Sequence, residues 1–416
     1  MTIIKKYTLI TGLISTLLSC VAFSMNTTVD SIQIKTHFNN FNAISCDSTA
    51  QRCLAVSVIR NSNGNEKDYA VRGTQDGGNT WDSPVILQRF LKTVDDRDEM
   101  KIHCDNSGLA CLIAVSMHNP ENLWPERAHV IVYTTYDAGI HWSEPKLIPG
   151  VLVNMVGLSC GQSGDNCLLL GQYNNMATPH VYMTQNAGLT WSGPLRLPKS
   201  NNSDEAYDSV LGMSCSDSGL VCAVVGGSMH PTTYITKDGG YTWLGPNLLK
   251  DEINEIAGNV GEDFFSNLHC NSSGLSCIAL RHQYIYQDRG VMVTAVYSYT
   301  TLDGGIHWKK TGAIDNLDGE IYEPFSVFDC DKEGLKCVAI HSPVGDEGSR
   351  PLAYATYDGG QTWSKKVLEI PEESTTTILL DIYCDDNAVL CQAVGMQDPY
   401  HLKTFALRKH RLNDTK

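Results

Sequence analysis

The side chains best suited to chemistry are acids and aromatics that recur at one offset in a repeat. Asp208, Asp263 and Glu323 each stand seven residues before the first cysteine of a Cys-x6-Cys pair, and Arg97 holds the same place in an earlier pair. Tyr207 and Tyr322 adjoin two of these acids. Carboxylates at equivalent positions of adjacent repeats converge. A convergent set can bind a cation, accept hydrogen bonds from sugar hydroxyls, or hold one acid with a raised pKa. The bland alternative is a solvated acidic rim. His118, His180, His230, His282 and His341 follow the cysteine pairs at differing offsets, as do Tyr173 and Tyr284, with Trp124 nearby. Differing offsets give no shared ligand geometry, so ordinary loop histidines are expected. The sequence shows no nucleotide-binding loop, metal-ligand motif or nucleophile elbow. No cofactor, no metal and no assigned catalytic residue are therefore expected.

The elements that position these residues follow from the cysteines. Fourteen of the fifteen form seven pairs: Cys46/Cys53, Cys104/Cys111, Cys160/Cys167, Cys215/Cys222, Cys270/Cys277, Cys330/Cys337 and Cys384/Cys391. The first members lie 58, 56, 55, 55, 60 and 54 residues apart, a period that marks a repeat architecture. Apolar residues two before each first cysteine (Ile44 to Ile382) and three after each second (Val56 to Val394) alternate away from a short polar turn. That pattern predicts a β-hairpin. Position minus one is Ser, His, Asp or Tyr in every unit. Each pair is placed to bridge its own hairpin. Metal thiolates, the alternative, would cluster as CxxC or recruit histidines.

A second motif lies between the pairs. It runs from Thr74 to Trp81, Thr135 to Trp142, Thr184 to Trp191, Thr236 to Trp243, Thr301 to Trp308 and Thr356 to Trp363, and it accounts for six of the seven tryptophans. Its acceptor is Asp76, Asp137, Asn186, Asp238, Asp303 or Asp358, and glycine supplies a positive φ, as a tight turn requires. His141 and His307 replace the threonine before Trp. The motif resembles the Asp-box, or bacterial neuraminidase repeat. The resemblance implies a β-propeller with the box between the third and fourth strands of a blade. It implies function weakly, because sialidases, other glycosidases, sorting receptors and assembly factors share it.

Blade counting predicts an all-β, seven-bladed β-propeller of four-stranded blades over residues 29–416, with one disulfide per blade. The first blade reads as Asn42–Cys46, Cys53–Ile59, Tyr69–Gly73 and Trp81–Leu87. The last unit has a hairpin and a third strand near Thr404–Lys409 but no box, so the N-terminal segment around Ile32 is expected to close the blade as its fourth strand. Hairpins and boxes then share a face of constant turns. The other face carries the variable loops, where binding residues of repeat proteins usually sit.

Charge and targeting narrow the function. The 416-residue chain carries a formal charge of −15, which argues against nucleic acid as a partner. Lys5 and Lys6, the apolar run 7–18 and Ala22-Phe23-Ser24 predict an export signal over residues 1–24. Cys20 also fits a lipobox, and a lipid there is the only membrane contact expected. Export to the periplasm, cell surface or exterior fits the disulfides. A sialidase would need three arginines and a Tyr–Glu pair, and an acidic face attracts an anionic sugar poorly. The leading expectation is an exported binding propeller that presents Arg97, Asp208, Asp263, Glu323, Tyr207 and Tyr322 to a protein or glycan. A glycoside hydrolase using carboxylates of the same face is the alternative.

Overall fold

Each Cys-x6-Cys segment folds as the hairpin its spacing predicts. The two cysteines are directly opposite in an antiparallel ladder, as for Cys104 and Cys111, and all seven pairs are disulfide-bonded across Cα–Cα distances of 3.9–4.0 Å. The fourth residue after the first cysteine is left-handed in every turn: Gly108, Gly164, Gly219, Gly274 and Gly334, with Ala50 and Ala388 in the two blades that meet at the closure. The computed structural model describes residues 32–37, 41–60, 67–90, 99–118, 128–148, 154–173, 178–198, 209–227, 230–249, 259–286, 292–314, 325, 327–342, 351–366, 368 and 378–396.

The bridges belong to the interior, although the turns they close are on the surface. In blade three Cys167, bonded to Cys160, is 1% exposed, and in blade four Cys222, bonded to Cys215, is fully buried. Cys46, Cys53, Cys337 and Cys391 are equally enclosed. The second cysteine opens the second strand, which is covered by strands on both sides within its sheet. Cys222 packs in an apolar cluster with Leu168, Val224 and Tyr234. These sulfurs are therefore part of the core as well as cross-links, and Cys167 and Cys222 are not accessible to a ligand.

The described residues form seven sheets arranged as the blades of a propeller. Six have four strands in simple sequential order. Blade one consists of Phe41–Cys46, Cys53–Arg60, Lys67–Thr74 and Val85–Phe90. Its fourth strand begins later than Trp81 because the chain is still turning there, with the Asp82 N–H on the Gly73 carbonyl at 2.8 Å.

Blade seven combines Ile378–Cys384 and Leu390–Met396 with the N-terminal strand Gln33–His37. The N-terminus closes the ring as expected, but from a different place. It pairs in parallel directly with the second strand, from Gln33↔Leu390 to His37↔Val394, rather than beyond a third. The segment 404–409, expected as that third strand, lies outside the described residues. The motif turn of blade one explains the placement. In other blades a glycine of this turn presses on the second and third strands of the preceding blade: Gly188 on Leu112 and Thr134, Gly240 on Leu168 and Met183. Gly78 presses instead on Gln392 and His37. His37 thus fills the third-strand place, and its Nε2 lies 2.8 Å from Gln392 Oε1.

The core is divided among the interfaces. One apolar cluster joins blade one to two (Leu54, Val71, Ile102, Ile113), another three to four, another four to five, and the closure has its own (Phe41, Ile44, Val394). Each motif tryptophan packs into the interface with the preceding blade, as Trp142 does in the first of these. Burial of this kind contributes about 25 cal/mol per Å² of apolar surface.

Hairpin tips add a polar fastening. The second residue after the first cysteine donates its N–H to the same position of the next blade: Ser48 to Asn106, Asn106 to Gln162, Gln162 to Asp217, Asp217 to Ser272, Lys332 to Asp386 and Asp386 to Ser48. The last bond crosses the closure. The disulfide beneath holds each tip in position, and a loop of this length constrains the unfolded chain by about 2–3 kcal/mol. Replacing Cys384 and Cys391 together by serine is expected to lower unfolding free energy by about 2–3 kcal/mol in chemical denaturation.

Candidate functional site

The motif turns are structural in detail. Thr74 Oγ1 donates to Asp76 Oδ1 at 2.8 Å and accepts the Gly78 N–H at 3.0 Å. Asp76 also accepts the Thr80 N–H and hydroxyl at 2.9 and 2.6 Å. These Thr80 bonds hold the Asp76 carboxyl at about 2. In blade two the His141 amide and imidazole do the same for Asp137, also at about 2. Asp303 has the equivalent partner in His307. Asp238 and Asp358 accept from Thr242 and Thr362. Asn186 keeps the acceptor toward the Thr190 N–H and reverses the other bond, donating Nδ2 to Thr190 Oγ1. Box glycines and alanines then donate to hairpin-tip carbonyls of their own blade, as Ala138 does to Leu109 and Gly239 to Leu220. Hairpins and boxes therefore share one face, and their polar groups are engaged in turn geometry.

Arg97, Tyr207, Asp208, Tyr322 and Glu323 lie outside the described residues. Asp263 is described, and it is not at a solvated mouth. It is 1% exposed. Arg281 grips it through both carboxylate oxygens, Nε to Oδ1 at 2.8 Å and Nη2 to Oδ2 at 2.7 Å. Arg281 Nη1 also donates to the Tyr299 hydroxyl at 2.7 Å. A bulge between Phe265 and Asn267 causes the displacement. Side chains alternate with period two, so one extra residue moves Asp263 to the opposite face of its strand, alongside Phe265 and the wall of blade four. Similar register shifts occur in the first strands of blades one, three, four and seven.

The histidines also differ from expectation. His282 and His341 are strand residues and are buried, at 0% and 3% exposure. Both rings face Phe325, at 5.8 and 6.0 Å, and His282 stacks on Phe264. Tyr284 joins this cluster and is buried too. His118 and His180 end or lie within strands. No group of three metal-ligating side chains occurs among the described residues.

The inner strands enclose a central cavity of about 350 Å³ lined by Lys101, His103, His269, Asp329, Asp381 and Tyr383 among others. Its order comes from the position before the first cysteine. Ser45 accepts the Cys104 N–H, Ser159 that of Cys215, Ser214 that of Cys270, and Asp329 that of Cys384. Each side chain thus satisfies the inner edge of the next blade. Asp329 also meets His269 Nδ1 at 3.0 Å. Asp381 Oδ2 accepts from Ile44 across the closure, and Glu99 accepts from Met155 of blade three. Burial raises Asp381 to about 6 and Glu99 to about 7, with the positive charge of Lys101 opposing both. Burial lowers His103 to about 4. These acids titrate where a general acid would, yet both are bound to backbone amides of a neighbouring blade. The readable signal was the polar residue at position minus one; Glu99 and Asp381, four and two residues further back, carried no signal without the inter-blade register.

No family model and no curated protein matches the chain. The solved structures similar to it include polysaccharide lyase Uly1 (8% identity over 82% of this chain and 84% of that one, TM-score 0.55). They also include an ulvan lyase of polysaccharide lyase family PL25 (10% identity, 82% and 88% coverage, TM-score 0.51). At these identities the likeness is one of fold.

Two predictions follow from the buried acids. Asp263→Ala leaves Arg281 buried without its partner and is expected to cost about 3–5 kcal/mol, whereas Asp263→Leu with Arg281→Met recovers most of that loss in thermal and chemical unfolding. For Glu99, the folded value of about 7 lies above the ordinary 4.5 of a free glutamate. The folded state therefore binds more protons between these values, and stability falls as pH rises from about 4.5 through 7. Glu99→Gln should flatten that slope and raise stability at pH 8 by about 1–3 kcal/mol.

Proposed function

We propose that this is an exported propeller that binds glycan on its variable-loop face. The observation that carries the reading is the division of labour between faces. Hairpins and boxes on the turn face are taken up by bonds within and between blades, while strands rising to the other face differ widely in length. The second and third strands of blade five, Cys277–Tyr286 and Met292–Thr301, run ten residues each, against five for Cys337–His341 in blade six. Regular strand in blade five therefore continues about 16 Å further at ~3.3 Å per residue. The Asp263–Arg281–Tyr299 set and the Phe264, His282, Tyr284 and Phe325 cluster stiffen this extension. Arg97, Tyr207, Asp208, Tyr322 and Glu323 belong to segments joining such strands. Asp263 enters this reading as a brace beneath the face rather than a ligand group.

Fold likeness to two polysaccharide lyases supports glycan over protein as the ligand class. The net charge of −15 favours a neutral glycan over a sulfated or uronic one. In this reading the Thr-to-Trp repeats are Asp-boxes and residues 1–24 direct export, or, in the alternative, the segment before Cys20 does so and Cys20 carries a lipid. The seven disulfides agree with an oxidising compartment outside the cytosol.

A glycan array run beside a chromogenic glycoside and polysaccharide panel tests this. Binding to neutral glycans without turnover is expected. Tyr207→Ala with Tyr322→Ala should weaken that binding at least about tenfold, or ~1.4 kcal/mol. Robust hydrolysis would replace the binding reading with the glycoside hydrolase.

A further inference from the structure

We propose that the central cavity is a binding site for a small organic carboxylate, seated on Lys101. The cavity of about 350 Å³ lies where the first strands of all seven blades converge, and it is separate from the glycan-binding loops argued above. Its walls break a rule that the rest of the ring keeps. Ser45, Ser159, Ser214 and Asp329, each just before a first cysteine, accept the cysteine N–H of the next blade. His103, His269 and Tyr383 hold the same place in blades two, five and seven. None of them accepts such a bond among the described residues; His269 turns its Nδ1 to Asp329 instead. A serine would fasten the ring at these places too. The fastening is given up for rings that carry a titratable group. Cys160 and Cys330 line the cavity, and their N–H groups are left without a side-chain acceptor from the preceding blade. An inner-edge amide in this state is a donor for a ligand.

The free bonding capacity at strand level is that of a donor set. Lys101 is half-buried in the wall. Among the described residues its ammonium makes no hydrogen bond or ion pair, and it acts only at range on Glu99 and Asp381. The acceptors at this level are engaged: the serines and Asp329 by cysteine amides, and Asp381 by the Ile44 and Ile382 amides. At the turn end Asp217 is paired with Lys332 at 3.2 Å, and Asp385 accepts two amides of its own turn. Of the lining carboxylates only that of Asp386 accepts no bond among the described residues. One unpaired cation and a few N–H and O–H donors suit a single carboxylate. Leu158, Met213 and Phe328 also line the cavity and are only partly buried, which suits an organic body. The lining holds no arginine, the usual partner of phosphate.

The ligand competes with Glu99 and Asp381 for the field of Lys101. Burial holds Asp381 at about 6, with Lys101 lowering it and Asp329 raising it, and it holds Glu99 at about 7. A bound anion raises both further, so binding takes up protons. Affinity therefore increases as pH falls through 7 and 6.

Lactate, glucose and inorganic phosphate are titrated into the oxidised chain at pH 5 and pH 8, against sodium chloride at equal ionic strength. Calorimetry and the rise in Tm read binding. Lactate should saturate at pH 5 with a Kd at least about tenfold below that at pH 8. Lys101→Met should lose this binding and Lys101→Arg should keep it. His103→Ser should restore the bond to the Cys160 amide, raising the Tm of the free protein while weakening lactate severalfold. The proposal is overturned if lactate does no more than chloride at pH 5, or if glucose or phosphate binds as tightly. An unchanged lactate Kd in folded Lys101→Met also overturns it. Should that variant fail to fold, an unchanged Kd in His103→Ser has the same force. None of these outcomes depends on glycan binding by the loops.

Discussion

The unpaired inner edge of each first strand is the constraint on which the ring depends. A strand edge exposes amides that must find acceptors. In a blade the inner edge faces neither a fifth strand nor open solvent. This chain satisfies it from the next blade: serine or aspartate before the cysteine reaches the following cysteine amide, and hairpin tips exchange backbone bonds around the ring. The disulfide then has a positional role. It fixes the tip whose N–H meets its neighbour, as six of the seven tips do in one register.

The closure obeys the same rule with different parts. Blade seven receives the N-terminal strand beside its second strand, and Gln392 donates to the carbonyls of Ala50 and Gly77 in blade one. Lys35 adds a bond to Gly77 and another to Asn79. A box turn of one blade needs a wall on the preceding blade. His37 and Gln392 build that wall where the ends of the chain meet.

This pattern of bonding divides the molecule into a fixed side and a variable side. Carboxylates of the boxes are held by turn donors, and the raised-pKa acids of the cavity serve amides of adjacent blades. In blade five the long second and third strands, Cys277–Tyr286 and Met292–Thr301, stand over a buried Arg–Asp pair. A buried pair of this kind is weak evidence for added stability.

Sequence periodicity alone determined the number of blades, the pairing of every hairpin cysteine and the side on which turns gather. These are local matters: a bridge of eight residues and an eight-residue box contain their own geometry. The depth of those bridges was not local. Cys167 and Cys222 are sealed by strands and blades that the spacing of the cysteines does not describe. What the candidate acids do was likewise decided only in three dimensions. Asp263 was read seven residues before its cysteine, as a member of a converging set, and a single bulged residue turned it into the partner of Arg281. His282 and His341 were read as loop residues and proved to be buried around Phe325. Glu99 and Asp381 looked like nothing in sequence, because their partners are amides one blade away. Strand alternation fixes a face only until a bulge intervenes, and a pKa depends on neighbours that the chain brings close from some 56 residues off or more, as Met155 is brought to Glu99.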